Sequence, residues 1–217
     1  MLIAAAPLLL ACASRGPAPA TVKPGFGEQG PAAAIVRARA DSARLPYTRA
    51  DIDFMTHMIG HHAQAIRISN LVPARTSNGE IRTLAERIIN AQHDEITTMQ
   101  RWLGDRRQPV PDGRATTMRM TMNGMEHDMA MPGMLSDAQM KQLEAATGSD
   151  FDRLFLFLMI QHHRGAVSMV KDLFATPGAG QDETVFKFAS DVNVDQTTEI
   201  ARMERMLLTL KLEGTFE

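Results

Sequence analysis

Met58-Ile59-Gly60-His61-His62 returns about a hundred residues later as Met159-Ile160-Gln161-His162-His163. Around each copy the apolar residues recur at helical spacing, which a strand would not do. About 35 residues after each copy comes Gln-x-x-Glu-Ile-x-x-Met. It is Gln92, Glu95, Ile96 and Met99 the first time, and Gln196, Glu199, Ile200 and Met203 the second. The repeat therefore preserves a pair of helices together with its imidazoles, carboxylates and thioethers, not only its leucines. It predicts an all-α fold and points to bound metal ions.

Start and stop signals set the helices around this repeat. Thr48-x-x-Asp51 reads as a capping box opening a first helix that runs to Val72 and stops before Pro73. Ser77-x-x-Glu80 opens a second, which ends at Gly104. A crossover, residues 105–147, holds a methionine-rich stretch and a short helix begun by Ser136-x-x-Gln139. A further long helix starts near Ser149 and ends before Pro177, and the last runs from about Asp182 to Glu213. No alternating strand pattern is read. Two hairpins with short loops (48–104 and 149–214), joined by one long crossover, predict a ferritin-like four-helix bundle over 47–214.

Upstream, the apolar run of residues 1–12 ends in Leu9-Leu10-Ala11-Cys12, which resembles a lipobox. It is too short to span a bilayer as a helix. The reading is a signal segment with lipidation at Cys12, followed by an Ala/Pro/Gly-rich tether over 13–46 with a brief helix about Ala32–Arg44. Export and a membrane anchor follow from it. Cys12 is the only cysteine, so a disulfide framework and a thiolate metal site are excluded. A net charge of −2 supplies no field for nucleic acid. Aromatics at 5% make a stacking platform or radical relay a poor reading.

At core spacing, the helix opened by Ser77 presents Ile81, Ala85, Ile88, Gln92, Glu95, Met99 and Trp102. The last helix presents Val185, Ala189, Val192, Gln196, Glu199, Met203, Met206 and Leu210. Both stripes are apolar except at the same Gln and Glu. The facing stripes carry Phe54, Met58, His61, Ala65, Ile68 and Phe155, Met159, His162, Ala166, Met169. His62 and His163 lie about 100° further round, toward a neighbouring helix or the surface. A carboxylate among apolar side chains needs a partner, and the His pairs are the nearest for Glu95 and Glu199. A Glu–His pair that fixes helix register without metal is the plain alternative. The copies differ, since His57 becomes Leu158 and His93 becomes Thr197. The first hairpin thus offers nitrogen at His57, His61, His62 and His93. The second offers Met159, His162, His163, Met169 and Met203.

Of 16 methionines, seven fall within residues 118–134: Met118, Met120, Met122, Met125, Met129, Met131 and Met134, with His127 among them. Asn, Gly, Pro and charges interrupt the run, so it is no amphipathic helix. Methionines in a polar loop gain little from burial, but their soft thioethers select Cu(I) or Ag(I) over Zn²⁺ and Mg²⁺. Thioether also suits an oxidising compartment where thiolate would be lost.

Phe54-x-x-x-Met58-Ile59-x-His61-His62-x-x-Ala65 and its second copy resemble the repeat of a bacterial family known as domain of unknown function 305. Gln92-His93-x-Glu95-Ile96-x-x-Met99-x-x-Trp102-Leu103 is similar to that family's second-helix signature. The resemblance runs from about Asp51 to Leu208. It implies a ferritin-like bundle, export to the cell envelope and, for some members, periplasmic copper binding linked to copper resistance. Three functions remain in play. The first is a non-catalytic Cu(I) protein that sequesters the ion or passes it to other periplasmic copper-handling proteins. The second is a di-metal carboxylate oxidoreductase, disfavoured because Glu95 and Glu199 lack a His three residues on and the His helices supply no central Glu. The third is a metal-free structural lipoprotein. No nucleophile stands in a recognisable catalytic context.

Overall fold

The computed structural model describes residues 47–116 and 131–213, the backbone of 119–122 and 125–128, and Gly30 and Ala34. The signal segment with Cys12, and all of the tether except Gly30, Ala34 (helical) and residues from Tyr47 on, lie outside the described residues. The chain divides between Ala40 and Asp41, and the second unit carries the repeat. Its elements are α1 (Arg49–Ser69), α2 (Val72–Arg75), α3 (Gly79–Asp105), β1 (Arg119–Met122), β2 (Met125–Asp128), α4 (Asp137–Ala145), α5 (Gly148–Ala175) and α6 (Glu183–Glu213). Among the described residues no helix is long and apolar enough to cross a membrane.

Side-chain caps decide where the helices begin. Asp51 N donates to Thr48 Oγ1 at 3.2 Å and Thr48 N to Asp51 Oδ2 at 2.6 Å, closing the expected capping box of α1. The other Asp51 oxygen accepts from Gly180 N at 2.7 Å, tying the start of α1 to the α5–α6 loop. Ser136 and Gln139 form the same box on α4. Asp182 caps α6 by accepting from the Thr184 and Val185 amides, and it also accepts from Trp102 Nε1 at 3.1 Å and Arg106 Nη2 at 2.7 Å. That carboxylate bolts the first turn of α6 to the last turn of α3.

Three expectations need correction. α1 stops at Ser69 rather than Val72, because Pro73 sits in the first turn of a new short helix, where its missing N–H costs nothing. α3 is capped by Asn78, not Ser77, since Asn78 Oδ1 reaches the amides of Glu80 and Ile81. The methionine stretch, read as strand-free, contains an antiparallel hairpin whose register sets Met120 opposite His127 and Met122 opposite Met125. In the sequence Asn123-Gly124 falls between Met122 and Met125, and that dipeptide is the strongest two-residue hairpin signal.

α1 packs on α3 and α5, and α5 on α6. The apolar core falls into two clusters. One joins Phe54 and Met58 of α1 to Met99 and Trp102 of α3, Met169 of α5 and Val185 of α6. The other joins Ala65 and Ile68 to Ile81, Ile88, Phe155, Met159 and Met203. Each cluster pairs an early part of one helix with a late part of its neighbour, which makes both hairpins antiparallel. Along every long helix the residues between the two clusters are polar: His61 and His62, Gln92 and Glu95, His162 and His163, Gln196 and Glu199. The bundle is a helical sandwich of two greasy ends around a polar waist.

Candidate metal centre

At the waist the rings of His61 and His162 stack across α1 and α5, centroids 3.9 Å apart and tilted by 40°. His62 stands 6.4 Å from His61, and His163 stands 6.3 Å from His162, each at 58°. His62 Nε2 donates to Glu95 Oε2 at 2.6 Å, and His163 Nε2 to Glu199 Oε2 at 2.7 Å. The two imidazoles are fully buried and the two carboxylates are 18% exposed. These near-equal pairs describe an approximate two-fold relation between the repeats, with the His61–His162 stack at its centre. The histidines a step round the helix are thus the ones that meet the carboxylates.

A carboxylate only accepts, so Nε2 carries the hydrogen and the lone pair of a neutral ring is left on Nδ1. The Nδ1 atoms of His61, His62, His162 and His163 are all buried without a hydrogen-bond partner among the described residues. The same holds for His162 Nε2 and for Oε1 of Gln92 and Gln196. A buried polar atom left without a partner costs about 1–3 kcal/mol. A carboxylate holding one ring nitrogen while the other is free is the arrangement that orients metal-ligating histidines. Burial, then the neighbouring His62, hold His61 down to about 3, and burial followed by His61 and His163 push His162 well below its usual range. Both rings are neutral at physiological pH, with lone pairs available.

The crossover breaks the two-fold. His61 Nε2 donates to Pro132 O at 3.0 Å, and His162 has no counterpart to that bond. Gln64 grips the next residues: its Nε2 donates to Leu135 O at 3.0 Å and its Oε1 accepts from Leu135 N at 2.8 Å. Gln161 Nε2 donates to Gly133 O at 3.3 Å. On the other side, a Cβ at Gly165 would lie 2.0 Å from Pro132 O, so only glycine admits this segment of the crossover, the strap of residues 131–135. Gly133, at φ +76°, turns the strap in that same narrow space. In the repeat Gly60 and Gln161 correspond, as do Gln64 and Gly165; the exchange of Gly and Gln marks which side the strap lies on. Sequence reasoning passed over these four residues, although the swap is legible in the two copies.

The remaining candidates disperse. Met58 and Met99 belong to one apolar cluster, Met159 and Met203 to the other, and all four are buried. His93 is exposed on α3 and stands apart from His61 and His62, because it follows the inward Gln92 by one residue, about 100° of helix. The first hairpin therefore does not gather its four nitrogens. Met131 is buried in the first cluster and Met134 packs against it. Met118 and Met129 lie outside the described residues, and Met120, Met122, Met125 and His127 are described by backbone alone. Strand alternation places positions 120, 122, 125 and 127 on one face of the hairpin. Among the described residues no three His, Cys, Asp or Glu stand close enough to hold an ion together.

A family model described as "Domain of unknown function (DUF305)" matches residues 51–207. The chain belongs to the DUF305 family. A solved DUF305 protein from Streptomyces coelicolor, assigned as secreted, is 32% identical, with 75% of this chain and 94% of that one covered and a TM-score of 0.62. A DUF305 fragment from Deinococcus radiodurans is 30% identical, covering 75% and 97%, with a TM-score of 0.60. CopM in its Cu(I)-bound form is 27% identical, covering 76% and 98%, with a TM-score of 0.55. CopM has also been solved with Cu(II), with Ag and in the apo form. No curated protein matches the chain.

Proposed function

We propose that this DUF305 chain is a non-catalytic Cu(I)-binding protein of the cell envelope, which sequesters the ion or hands it to other copper-handling proteins. The observation that carries the reading is the waist, where four buried imidazoles leave Nδ1 unpartnered while Glu95 and Glu199 fix the opposite nitrogen of His62 and His163. Met58, Met99, Met159 and Met203, all buried, stand about one helical turn along their own helices from those His and Glu residues and are the nearest soft donors in sequence. Cu(I) suits such a set because it accepts neutral imidazole and thioether and needs no carboxylate ligand. The copper-bound relative CopM supports the choice of ion. The methionine hairpin serves as the capture or transfer segment. Export agrees with the secreted relative, and Cys12 is the residue that would carry a lipid anchor.

Titration of the protein lacking its first 20 residues with Cu(I), against a competing chelator, tests the reading. Binding tighter than micromolar is expected, and its loss in a variant with all four waist histidines changed to Gln is expected with it. Failure to compete at micromolar Cu(I) sinks the proposal and leaves the paired Glu–His units as register devices.

A further inference from the structure

A second group of soft donors lies outside the waist. His57 of α1, Met131 of the strap and Met169 of α5 line one cavity of about 300 Å³, with Asp53 and Asp172 on its wall. The three come from three separate segments of the chain, so no spacing rule could have grouped them. Pro132 is part of the same lining, and its carbonyl is the acceptor of His61, which sets the cavity against the waist with one backbone turn between them.

The donors differ in accessibility in a useful way. His57 is half-buried, whereas Met131 and Met169 are 5% and 9% exposed and face the cavity from within the first apolar cluster. No described residue hydrogen-bonds to the His57 ring. Burial, opposed by Asp53 and assisted by Arg49, holds the ring's pKa below its usual value, which favours the neutral ring with one nitrogen lone pair available. One imidazole and two thioethers around a small space form a neutral, soft, three-donor set. Such a set favours a d¹⁰ monovalent ion, Cu(I) or Ag(I), over Zn²⁺, which would seek four harder donors. Carboxylates on the wall raise the local cation concentration without having to ligate.

We infer that His57, Met131 and Met169 form a distinct, more accessible site for a soft monovalent cation, at the landing point of the methionine stretch. The inference rests on the copper reading above for its choice of ion. It adds a station between the hairpin and the waist, since Met131 belongs both to the stretch and to the cavity. Plain core packing is the competing explanation, because methionine fills irregular gaps.

Ag(I), which does not change oxidation state, is the probe. In the full chain with ¹³C-methyl methionine, the Met131 and Met169 methyl signals are expected to shift together, saturating with one equivalent, along with the His57 ring. The Met131→Leu/Met169→Leu double variant conserves volume. It is expected to keep its helical circular dichroism while losing one equivalent of Ag(I) binding, and a His62→Gln/His163→Gln variant is expected to keep that equivalent. Methyl signals of Met131 and Met169 that stay fixed while other sites fill with Ag(I) overturn this site and leave the waist untouched. Absence of any Ag(I) or Cu(I) binding overturns both.

Discussion

A carboxylate that takes the hydrogen of one imidazole nitrogen decides what the other nitrogen can do. Glu95 and Glu199 do this for His62 and His163 at 2.6 and 2.7 Å, from positions still open to solvent on one side. Their job is to set tautomer and ring angle, and an amide of the same shape does this less firmly than a charge. Glu95→Gln is therefore expected to weaken Cu(I) binding by about 10–100-fold, the usual effect of losing an outer carboxylate, with little change in helix content. Equilibrium competition with a Cu(I) chelator reads the first and circular dichroism the second. An unchanged affinity would mean that His62 is not a ligand.

At the scale of elements, the strap and α5 approach so closely that one hydrogen atom at Gly165 is all the space allows. Gly165→Ala would place a methyl 2.0 Å from Pro132 O and push the strap off the waist, breaking the His61 and Gln161 bonds to it. Overpacking of this kind costs about 1–3 kcal/mol, measurable as a lower urea midpoint at unchanged slope. Much of the element plan was legible beforehand. The Thr48–Asp51 and Ser136–Gln139 boxes, the antiparallel hairpins and the inward stripes follow from local chemistry and helical period, which a single chain carries openly. Pro73 misled because proline ends a helix and opens one equally well. The Asn123-Gly124 signal was overshadowed by the methionines around it. The strap was illegible for a different reason: its partners are backbone carbonyls of Pro132, Gly133 and Leu135, and a carbonyl has no letter in a sequence. His93 shows the converse, a residue that looks like a ligand beside Gln92 until the helix turns it outward.

For the whole molecule, the stacked rings of His61 and His162 are a buried store of neutral histidine. His61 would take a proton near pH 6.5 in the unfolded chain but only near pH 3 in the fold, and His162 is displaced the same way. Between those values the unfolded state holds more protons, so acid favours unfolding and stability rises with pH until it levels above about 6.5. The slope is at most about 1.4 kcal/mol per pH unit for each ring. Urea unfolding at pH 5 and pH 7 is expected to show the loss, and His61→Leu to shrink it. A pH-independent stability across this range would mean that the waist is wet.

The strap also fixes when an ion could reach the stacked rings. Pro132 is held by His61 and its neighbour Leu135 by two bonds from Gln64, so the central nitrogens are closed off until that fastening loosens. Uptake there would be timed by the protein's own opening and not by collision. In stopped-flow mixing the slow phase should reach a plateau as Cu(I) increases, and Gln64→Ala should raise that ceiling. Under the copper reading, a tenant admitted so slowly would leave slowly too, and the inner layer would then have the kinetics of storage.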